Sequence, residues 1–410
     1  MRHLILGSSA AAVAAVDVLR KTRPDDEIIM ASADETIHSR CMLHHYLSGE
    51  RDAESLSFTR RSFFKQNRLE WLPNSRALSV DANHRIVNFA DTSITYDKLL
   101  IATGTNNFVP DIPGLRGAAN VYTLGNLKDA VVMRNAIENA HTIAILGAGL
   151  IGMDIAHGIA HSNSNATVHV IESESHIIPK QLDANIASKF QARFEEYGVK
   201  FHLDKTVATV HTSDDGAATA LEFSDGDILP CTMIIVAAGT RPNVGFLENS
   251  GISLGNGVVV DRQMRTSAAN VYAAGDVTGI AGNWYAAVKQ GRVAGQNMVC
   301  NGSLEYTDTF HTFGSINLCG LAAVSVGKVN PPFDGYEVLE SSDNGKYLKL
   351  VLNDDIVEGA LIFGDISHTG HWKFIIENAI PVDNLGKSPL QIEYADFFDI
   401  NANTAEFRYK

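Results

Sequence analysis

One arrangement of apolar and polar positions occurs twice along the chain. Each copy opens with a short apolar run, passes through a segment rich in small residues, and then spaces its apolar residues as a helix does. The first copy opens at residues 3–6 and closes at residues 96–105, and the second opens at residues 142–146 and closes at residues 233–240. This duplication predicts an α/β fold with two Rossmann-like dinucleotide-binding domains of the three-layer ββα type.

Turn residues divide the remainder of each copy. In the second copy, Asp214-Asp215-Gly216 and Ser224-Asp225-Gly226 predict a small antiparallel meander inserted in the unit. We expect a counterpart in the first copy, between about residues 70 and 96.

The chain beyond the second copy has a different pattern. A helical run covers residues 284–299, and two strand-like runs follow at residues 347–352 and 359–363. Short helical pieces come last, and no further glycine-rich loop occurs after about residue 303. The sequence therefore predicts a C-terminal α+β domain over residues 303–410.

Composition narrows the classes of partner. The net charge of −14 argues against nucleic acid or an anionic membrane surface as the main partner. The apolar stretches are short and carry glycines or charges, and the first strand begins almost at Met1, so we expect no membrane span and no signal peptide. The four cysteines form no Cys-x-x-Cys pair, which indicates a reducing, cytoplasmic compartment and no metal site.

The glycine-rich loop of the second copy is complete. Gly147, Gly149 and Gly152 let backbone N–H groups approach a pyrophosphate at the start of a helix. Glu172 follows at the end of the next strand, where a carboxylate binds a ribose 2′-hydroxyl and repels a 2′-phosphate. No Arg or Lys comes before Lys180, so the loop predicts a preference for NADH over NADPH.

The loop of the first copy is less regular. It begins at Gly7, but Ser9 and Ala12 stand at the second and third glycine positions. These small residues still permit close approach of a pyrophosphate. Ser32 occupies the place of the expected acid, and Asp34 and Glu35 follow it. One of these two acids binds the adenosine ribose, with Glu35 as the candidate, or both belong to a solvated turn.

The order of the motifs resembles that of the pyridine nucleotide–disulfide oxidoreductase superfamily over essentially the whole chain. The shared segments are the Gly7 loop, Ala102-Thr103-Gly104, the Gly147 loop, Gly239-Thr240-Arg241-Pro242-Asn243 and Ala273-Ala274-Gly275-Asp276. The resemblance implies FAD in a discontinuous domain of residues 1–110 and 240–302, and NADH in residues 111–239. It also implies that Asp276 meets the flavin ribityl chain, and that the helix beginning near Asn283 and Trp284 points its N-terminus at the flavin.

The segment around Cys41 resembles two branches of this superfamily. The dithiol reductases carry Cys-x4-Cys here, and a lone Cys41 argues against their mechanism. Cys41 falls near the reactive cysteine of NADH oxidases, NADH peroxidases and coenzyme A disulfide reductases. However, Ile37 stands where those enzymes have a serine, and Ala10 stands where the peroxidases have a histidine.

The second branch comprises NADH:rubredoxin reductases, ferredoxin-reductase-type flavoproteins and the flavin module of NADH-nitrite reductases. Its members share an arginine at the place of Arg40 and many have a lysine at the place of His45, which pairs with a glutamate where this chain has Asp154. We expect His45 and Asp154 to meet beside the flavin and nicotinamide. Residues 357–366 and Gly370-His371-Trp372 are similar to the last domain of this branch.

Two further sets of side chains have alternative interpretations. Cys41, at a helix start beside Arg40, is either a reactive thiol with a lowered pKa or a small residue packed near the ring. Five histidines either converge as proton donors near the flavin or are scattered structural residues: His44, His45, His311, His368 and His371.

The sequence thus predicts an enzyme that passes electrons from NADH through FAD to an acceptor. The expected acceptor is a small redox protein of rubredoxin type or a partner redox subunit. Docking would use a basic patch at Arg60, Arg61 and Lys65, unless these residues form an ordinary solvated face. The alternatives are a disulfide, persulfide or coenzyme A disulfide reductase using Cys41, an NADH oxidase, and a non-catalytic NADH sensor; a homodimer is left open.

Overall fold

The computed structural model describes residues 1–280, 282–300, 304–307, 313–331, 335–383, 386–401, 404 and 407–409. It divides into two compact units, of which the larger comprises residues 1–175 and 194–308 and the smaller comprises residues 176–193 and 309–410. Among the residues described, no helix has the length and apolar character needed to cross a membrane.

The helices, in chain order, are α1 (Ala10–Thr22), α2 (Leu43–Ser48), α3 (Phe63–Gln66), α4 (Leu127–Ile137), α5 (Leu150–Ala160), α6 (Ala184–Glu196), α7 (Trp284–Cys300) and α8 (Thr369–Glu377). The strands of the larger unit are β1 (Arg2–Leu6), β2 (Glu27–Ala31), β3 (Leu69–Leu72), β4 (Ser79–Asp81), β5 (Ile86–Asn88), β6 (Ser93–Thr95), β7 (Lys98–Ile101), β8 (Thr105–Asn107), β9 (Val121–Tyr122), β10 (Thr142–Leu146), β11 (Thr167–Ile171), β12 (Lys200–His202), β13 (Val207–Thr212), β14 (Ala218–Phe223), β15 (Ile228–Pro230), β16 (Met233–Val236), β17 (Thr240–Pro242) and β18 (Val271–Ala273). Those of the smaller unit are β19 (Phe313–Leu318), β20 (Leu321–Gly327), β21 (Glu337–Asp343), β22 (Lys346–Asn353), β23 (Ile356–Phe363), β24 (Phe398–Ile400) and β25 (Phe407–Tyr409).

The first parallel sheet has the strand order β18-β7-β1-β2-β3. Its strands are apolar at nearly every position because both faces are covered, one by helices α1 and α7 and the other by the β4-β5-β6 meander. Helices α1 and α7 pack closely on each other: a Cβ on Gly291 would lie 2.2 Å from the carbonyl oxygen of Ala11, and one on Gly295 would lie 2.9 Å from that of Ala15. Strand β18 and helix α7 come from late in the chain, so this sheet unites the two segments that the resemblance assigned to one domain.

The second parallel sheet has the strand order β12-β11-β10-β16-β9 and repeats the strand–turn–helix arrangement of the first. Each sheet carries a three-stranded antiparallel meander, β4-β5-β6 in the first copy and β13-β14-β15 in the second. Both predicted meanders and the α/β fold with two Rossmann-like domains are therefore confirmed. The two copies are joined by the antiparallel pair β8-β17.

The smaller unit is an antiparallel sheet of order β19-β20-β23-β22-β21 with α8 packed against it through Trp372. It also takes in residues 176–193, which the sequence analysis placed with the second Rossmann domain. The reason is local: the Phe190 ring contacts the Phe363 ring, and the carboxylate of Asp183 accepts hydrogen bonds from Tyr347 (2.9 Å) and Lys349 (3.2 Å).

Helix α2 lies against α5 at a point where α5 has no side chain. A Cβ on Gly158 would lie 2.7 Å from the carbonyl oxygen of His44 and 3.1 Å from the Cβ of Leu47. Leu43 and Leu47 are buried on the same face of α2. Because α2 begins two residues after Cys41, this close packing fixes where the residues around Cys41 lie.

We predict that Gly158→Ala lowers the free energy of unfolding by about 1–3 kcal/mol, because the added methyl group overpacks the contact between α2 and α5. The control is Gly370→Ala in α8, since nothing lies within 4 Å of a Cβ at Gly370 and alanine favours a helix over glycine by ~1 kcal/mol. Urea unfolding of both variants measures the difference. Equal stabilities for the two variants would contradict the proposed packing.

Candidate active site and dinucleotide-binding sites

A cavity of about 390 Å³ opens at the carboxyl ends of the first sheet's strands. Ligands of open α/β sheets bind at this edge. The lining includes these predicted residues: Gly7, Ser9, Arg40, Ala102, Thr103, Gly104, Gly275 and Asp276. It also includes polar residues that the sequence analysis did not single out as ligands: Ser8, Ser75, Arg76, Asn106, Asn107, Asn126, Asp129 and Asn243. Their signal is weak because they come from loops with no motif of their own.

The start of α1 has the geometry of a phosphate cradle. Gly7 has φ +113°, and a Cβ there would lie 2.1 Å from the carbonyl oxygen of Ala102, so only glycine fits. Ser9 is the N-cap of α1, and its side chain makes no capping hydrogen bond. Ser9 and Ala10 line the cavity, whereas Ala12 is fully buried behind them. The first turn of α1 therefore presents N–H groups to an anion, which fits the pyrophosphate of a dinucleotide.

The ribose position of the first copy has a neutral hydroxyl pair in place of a carboxylate. The hydroxyls of Ser8 and Ser32 are 2.9 Å apart, and the N–H of Asp34 donates to the Ser32 hydroxyl (3.1 Å). Asp34 lines the cavity and pairs with Arg40 at 3.1 Å, whereas Glu35 is exposed and does not line it. Of the two acids, the geometry therefore favours Asp34 as the group nearer to a bound cofactor.

Asp276 also lines the cavity and comes directly after Gly275. Burial raises the pKa of Asp276 to about 6, and the nearby Arg40 partly opposes that rise. The N–H of Gly275 donates to the side chain of Gln290 (2.7 Å), which ties the Gly-Asp turn to α7. Asp276 is thus a carboxyl group held in the cavity by backbone geometry.

Helix α7 begins at Trp284, as the sequence pattern predicts. The side chain of Asn283 accepts a hydrogen bond from the N–H of Ala286 (2.8 Å) and so caps the helix. Ala287, one turn on, lines the cavity. Trp284 itself does not: it packs edge-on against Phe58 with ring centroids 4.6 Å apart.

The second copy places its three glycines in the same way. Gly147 has φ +106°, and a Cβ on Gly152 would lie 1.9 Å from the carbonyl oxygen of Gly147. Nothing lies within 4 Å of a Cβ at Gly149, which is the N-cap of α5, so the loop is open on the side where a pyrophosphate would approach. Gly239, which follows the last strand of this copy, has φ +106° and is likewise open.

Glu172 stands beside this loop with its carboxylate already fixed. It accepts hydrogen bonds from the N–H groups of Ala148 (2.7 Å) and Ser173 (2.8 Å). The negative charge is therefore held at the ribose side of the loop, where it would favour a 2′-hydroxyl over a 2′-phosphate.

The predicted pairing of His45 with Asp154 requires correction. Nδ1 of His44, not of His45, lies 3.8 Å from the carboxylate of Asp154, and His45 Nδ1 donates to Glu50 at 2.5 Å. Successive residues of a helix point in directions about 100° apart, so one position decides which ring faces α5. Burial raises the pKa of Asp154 to about 7.

Of the two interpretations of Cys41, the electrostatics favour the packed residue over the reactive thiol with a lowered pKa. The thiol is exposed, but desolvation by the surrounding protein raises its pKa, and the carboxylates of Asp154 and Asp276 raise it further. Arg40, which was expected to lower the pKa, directs its guanidinium to Asp34 instead. Both carboxyl groups therefore disfavour a thiolate at Cys41.

The other predicted histidines and basic residues are distributed over the chain. His44 is buried in the larger unit, whereas His368 and His371 belong to the smaller one, where His371 stacks on Trp372 at 4.8 Å. His311 lies outside the described residues. The basic side chains near α3 are exposed, and one of them pairs with Glu54: Arg60, Arg61 and Lys65.

Comparison with known proteins identifies the architecture. Residues 1–291 match the family model described as pyridine nucleotide-disulphide oxidoreductase, and residues 314–380 match the one described as rubredoxin NAD+ reductase C-terminal domain. The chain is 30% identical over 375 residues to the NADH-dependent phenylglyoxylate dehydrogenase subunit epsilon of Aromatoleum evansii, with 86% of each protein covered.

Two further similarities bear on the same fold. The chain is 26% identical to the assimilatory nitrate reductase electron transfer subunit of Bacillus subtilis, covering 89% of itself and 48% of that protein, so it spans about half the length of this relative. Among solved structures, a NAD-dependent persulfide reductase from A. fulgidus superposes with a TM-score of 0.84 at 25% identity, covering 94% of this chain and 78% of that one.

We predict that Cys41 reacts slowly with iodoacetamide at neutral pH, because its raised pKa keeps the thiol protonated. The rate should rise only at pH values above the ordinary pKa of a cysteine thiol. Asp154→Asn should shift this profile to lower pH, since it removes a carboxylate that raises the pKa. Mass spectrometry of the Cys41 peptide measures the rate, and Asp91→Asn, in an exposed turn, is the control. Superimposable profiles for Asp154→Asn and the control would contradict the placement of Asp154 beside the thiol.

Proposed function

The chain belongs to the pyridine nucleotide-disulphide oxidoreductase family, and we propose that it passes electrons from NADH through FAD to a small iron–sulfur carrier protein of rubredoxin type. The match of residues 314–380 to a rubredoxin NAD+ reductase C-terminal domain carries the choice of acceptor. The chain is an NADH-dependent flavoprotein oxidoreductase, as its family and relatives are.

We assign FAD to the cavity of the first copy. The first turn of α1 would bind the pyrophosphate, the Ser8–Ser32 pair and Asp34 lie where the adenosine ribose would be bound, and Asp276 would accept a hydrogen bond from a ribityl hydroxyl. The N-terminus of α7 would stabilise negative charge on the reduced ring. When bound, FAD can accept two electrons from NADH and donate them one at a time to an iron–sulfur protein.

We assign NADH to the second copy, where the start of α5 would bind its pyrophosphate and Glu172 its adenosine ribose. Asp154 lies one turn into α5, after the glycine loop. Its carboxyl group raises the pKa of the Cys41 thiol, as that of Asp276 does. We therefore infer that the two cofactors would meet near Cys41.

The thiol-based alternative is less well supported. A reductase of disulfides, persulfides or coenzyme A disulfide needs a thiolate at Cys41, and the pKa of that thiol is raised. The likeness to a persulfide reductase shows that the fold accommodates such chemistry, and the exposed thiol keeps the alternative testable.

The relatives differ in what receives the electrons. Two of them are described as subunits, one of a dehydrogenase and one of a nitrate reductase. A partner redox subunit is therefore the second candidate for the acceptor. The four cysteines, none of them in a Cys-x-x-Cys pair, support a cytoplasmic location.

We expect the purified holoenzyme to oxidise NADH at least tenfold faster with rubredoxin, measured anaerobically, than with coenzyme A disulfide or, in a separate aerobic assay, with oxygen. A tenfold difference corresponds to about 1.4 kcal/mol of selectivity in the transition state. Cys41→Ser should leave this rate and the NADH titration of the flavin spectrum unchanged. Reduction of coenzyme A disulfide that Cys41→Ser abolishes, together with no reduction of rubredoxin, would replace the proposal with the thiol route.

Coenzyme preference provides a second prediction. Glu172→Ala should lower kcat/KM for NADH roughly tenfold or more, because a charged hydrogen bond to the ribose contributes about 1.5–3 kcal/mol. The rate with NADPH should change little or improve, because the repulsion is removed. Glu174→Ala, two residues further on and exposed, serves as the control. An unchanged ratio of the two coenzymes in Glu172→Ala would count against the assignment of Glu172.

A further inference from the structure

His38 lies behind the wall of the cavity to which FAD is assigned. It is 5% exposed and does not line the cavity itself. Asp34 and Arg40, which precede and follow it in the same loop, do line the cavity. The start of α4 supplies another part of the wall through Asn126 and Asp129. Two segments that are distant in the chain thus form this wall, and His38 belongs to one of them.

Two hydrogen bonds fix the His38 ring. The N–H of Leu127 donates to Nε2 (3.2 Å), and Nδ1 lies 3.1 Å from the carbonyl oxygen of Thr36. Because Nε2 accepts a hydrogen bond, the hydrogen of the neutral ring is on Nδ1, which donates it to Thr36. The contacts therefore define one neutral tautomer, and the ring joins two residues of the wall that are 89 positions apart.

The bond from Leu127 satisfies the end of a helix. Leu127 is the first residue of α4, and the first N–H groups of a helix have no acceptor within it. The side chain of Asn126 accepts from the N–H of Asp129 (2.9 Å), and its carbonyl oxygen accepts from that of Ala130 (3.1 Å). His38 supplies the acceptor for Leu127. The imidazole is thus part of the cap of α4, although it comes from a different segment.

The same bond connects the two dinucleotide-binding copies. His38 follows β2, a strand of the first sheet, whereas α4 leads into β10 of the second sheet. The loop is also held on its own side, where the N–H of Ser39 donates to the carbonyl oxygen of Leu56 (2.9 Å). Loss of the bond between His38 and Leu127 would therefore loosen a contact between the copies, next to the cavity.

The bond can form only while the ring is neutral. A protonated imidazole carries hydrogen on both nitrogens and cannot accept from Leu127. Its charge would also lie at the positive end of the α4 dipole. Burial lowers the pKa of His38, Asp34 and the bond to Thr36 oppose this, and Arg40 adds to it. The closed arrangement is therefore favoured above the ordinary pKa of histidine and loses stability as the pH falls below it.

The charged groups on the segments packed around the ring and its loop have other partners. These pairs are Asp34 with Arg40 (3.1 Å), Asp129 with the N–H of Gly125 (2.9 Å), Lys128 with Asn74 (2.7 Å), Asp52 with the N–H of Ser55 (2.8 Å), and Glu54 with Arg61. Asp34 and Arg40 act on the pKa of His38 in opposite directions, which leaves burial as the main influence.

We propose that His38 positions the wall of the FAD cavity by accepting the N–H of Leu127, and that protonation of His38 breaks this bond and speeds the release of FAD. His38 acts through the wall, since it does not line the cavity. The inference rests on the proposed placement of FAD in this cavity, and it does not depend on the electron acceptor. Acid would thus weaken cofactor retention through a residue outside the binding site.

The test measures how fast the holoenzyme releases FAD. Holoenzyme is diluted into buffers from about pH 8 to about pH 5, a range that spans the ordinary pKa of histidine, and the flavin in filtrates is measured over time. The pKa of Asp276, about 6, falls in the same range. Each variant is therefore compared with the wild type at the same pH, so that the titration of Asp276 cancels.

Two substitutions of His38 have opposite expected effects. The side-chain oxygen of His38→Gln can accept from Leu127 in place of Nε2 but does not titrate. This variant should match the wild type at the alkaline end and release FAD roughly three- to tenfold more slowly at the acid end, the factor that one hydrogen bond corresponds to. His38→Phe has no acceptor, so it should release FAD faster than the wild type at the alkaline end by a similar factor and match it at the acid end.

The control is His84→Gln, which makes the same change at an exposed histidine that pairs with Asp81 in the first meander. It should release FAD as the wild type does at every pH. Thermal unfolding of the FAD-free proteins shows which variants are folded. If His38→Phe is not, His38→Gln alone decides the matter. NMR of protein with labelled histidine should find the ring hydrogen of His38 on Nδ1 at the alkaline end.

Three results would overturn the proposal. They are equal release rates for the wild type and folded His38→Gln at the acid end, the same effect in His84→Gln as in His38→Gln, and a ring hydrogen on Nε2 of His38 at the alkaline end. Because neither NADH nor an acceptor is present, these results are independent of the electron transfer assay. A holoenzyme that fails to reduce rubredoxin would overturn the proposed function, while FAD release would still decide the role of His38.

Discussion

The structure depends on two backbone turns that are clamped between parallel strands. The N–H of Gly7 donates to the carbonyl oxygen of Ala31, and the N–H of Gly147 donates to that of Ile171, both at 2.8 Å. On the other side, the backbone just after β7 and β16 approaches so closely that a Cβ at Gly7 or Gly147 would collide with the carbonyl oxygen of Ala102 or Ala237. The turn therefore cannot bend elsewhere, and the following helix must begin with its N–H groups at the sheet edge. Both dinucleotide sites follow from that one constraint.

The same turn leads to two different sites because the residue at the end of the second strand differs. In the second copy this residue is Glu172, whose charge is held by backbone N–H groups. In the first copy it is Ser32, whose hydroxyl meets that of Ser8. A fixed carboxylate favours a ribose with a free 2′-hydroxyl over one with a 2′-phosphate, whereas a neutral pair of hydroxyls carries no charge with which to make that selection. One copy is thus suited to a coenzyme that must be told apart from its close relative, and the other to a cofactor that stays bound.

The apolar periodicity predicted most of the larger unit because its strands are buried on both faces and its helices on one. It found only two strands of the C-terminal sheet, since β21 is largely exposed and has no apolar alternation to detect. The site was harder to predict where it depends on orientation. Which of His44 and His45 faces Asp154 depends on the rotation of a six-residue helix, and the pKa of Cys41 depends on carboxylates from distant segments. Neither the rotation of α2 nor its packing against α5 can be predicted from the apolar pattern of one segment.

The packing of α1 on α7 has a consequence for how the chain is made. Gly291 and Gly295 let α7 meet α1 backbone to backbone, and β18 completes the sheet that begins with β1. A ribosome synthesises β1 first and α7 only after the whole of the second sheet, so α1 can pack on β1 and β2 but lacks the helix that covers it until residue 300 has emerged. The strands of the second sheet all come from one continuous stretch of the chain, so this sheet can form before β18 has been added to the first. The second sheet has thus been synthesised in full before the first, although the first begins earlier in the sequence.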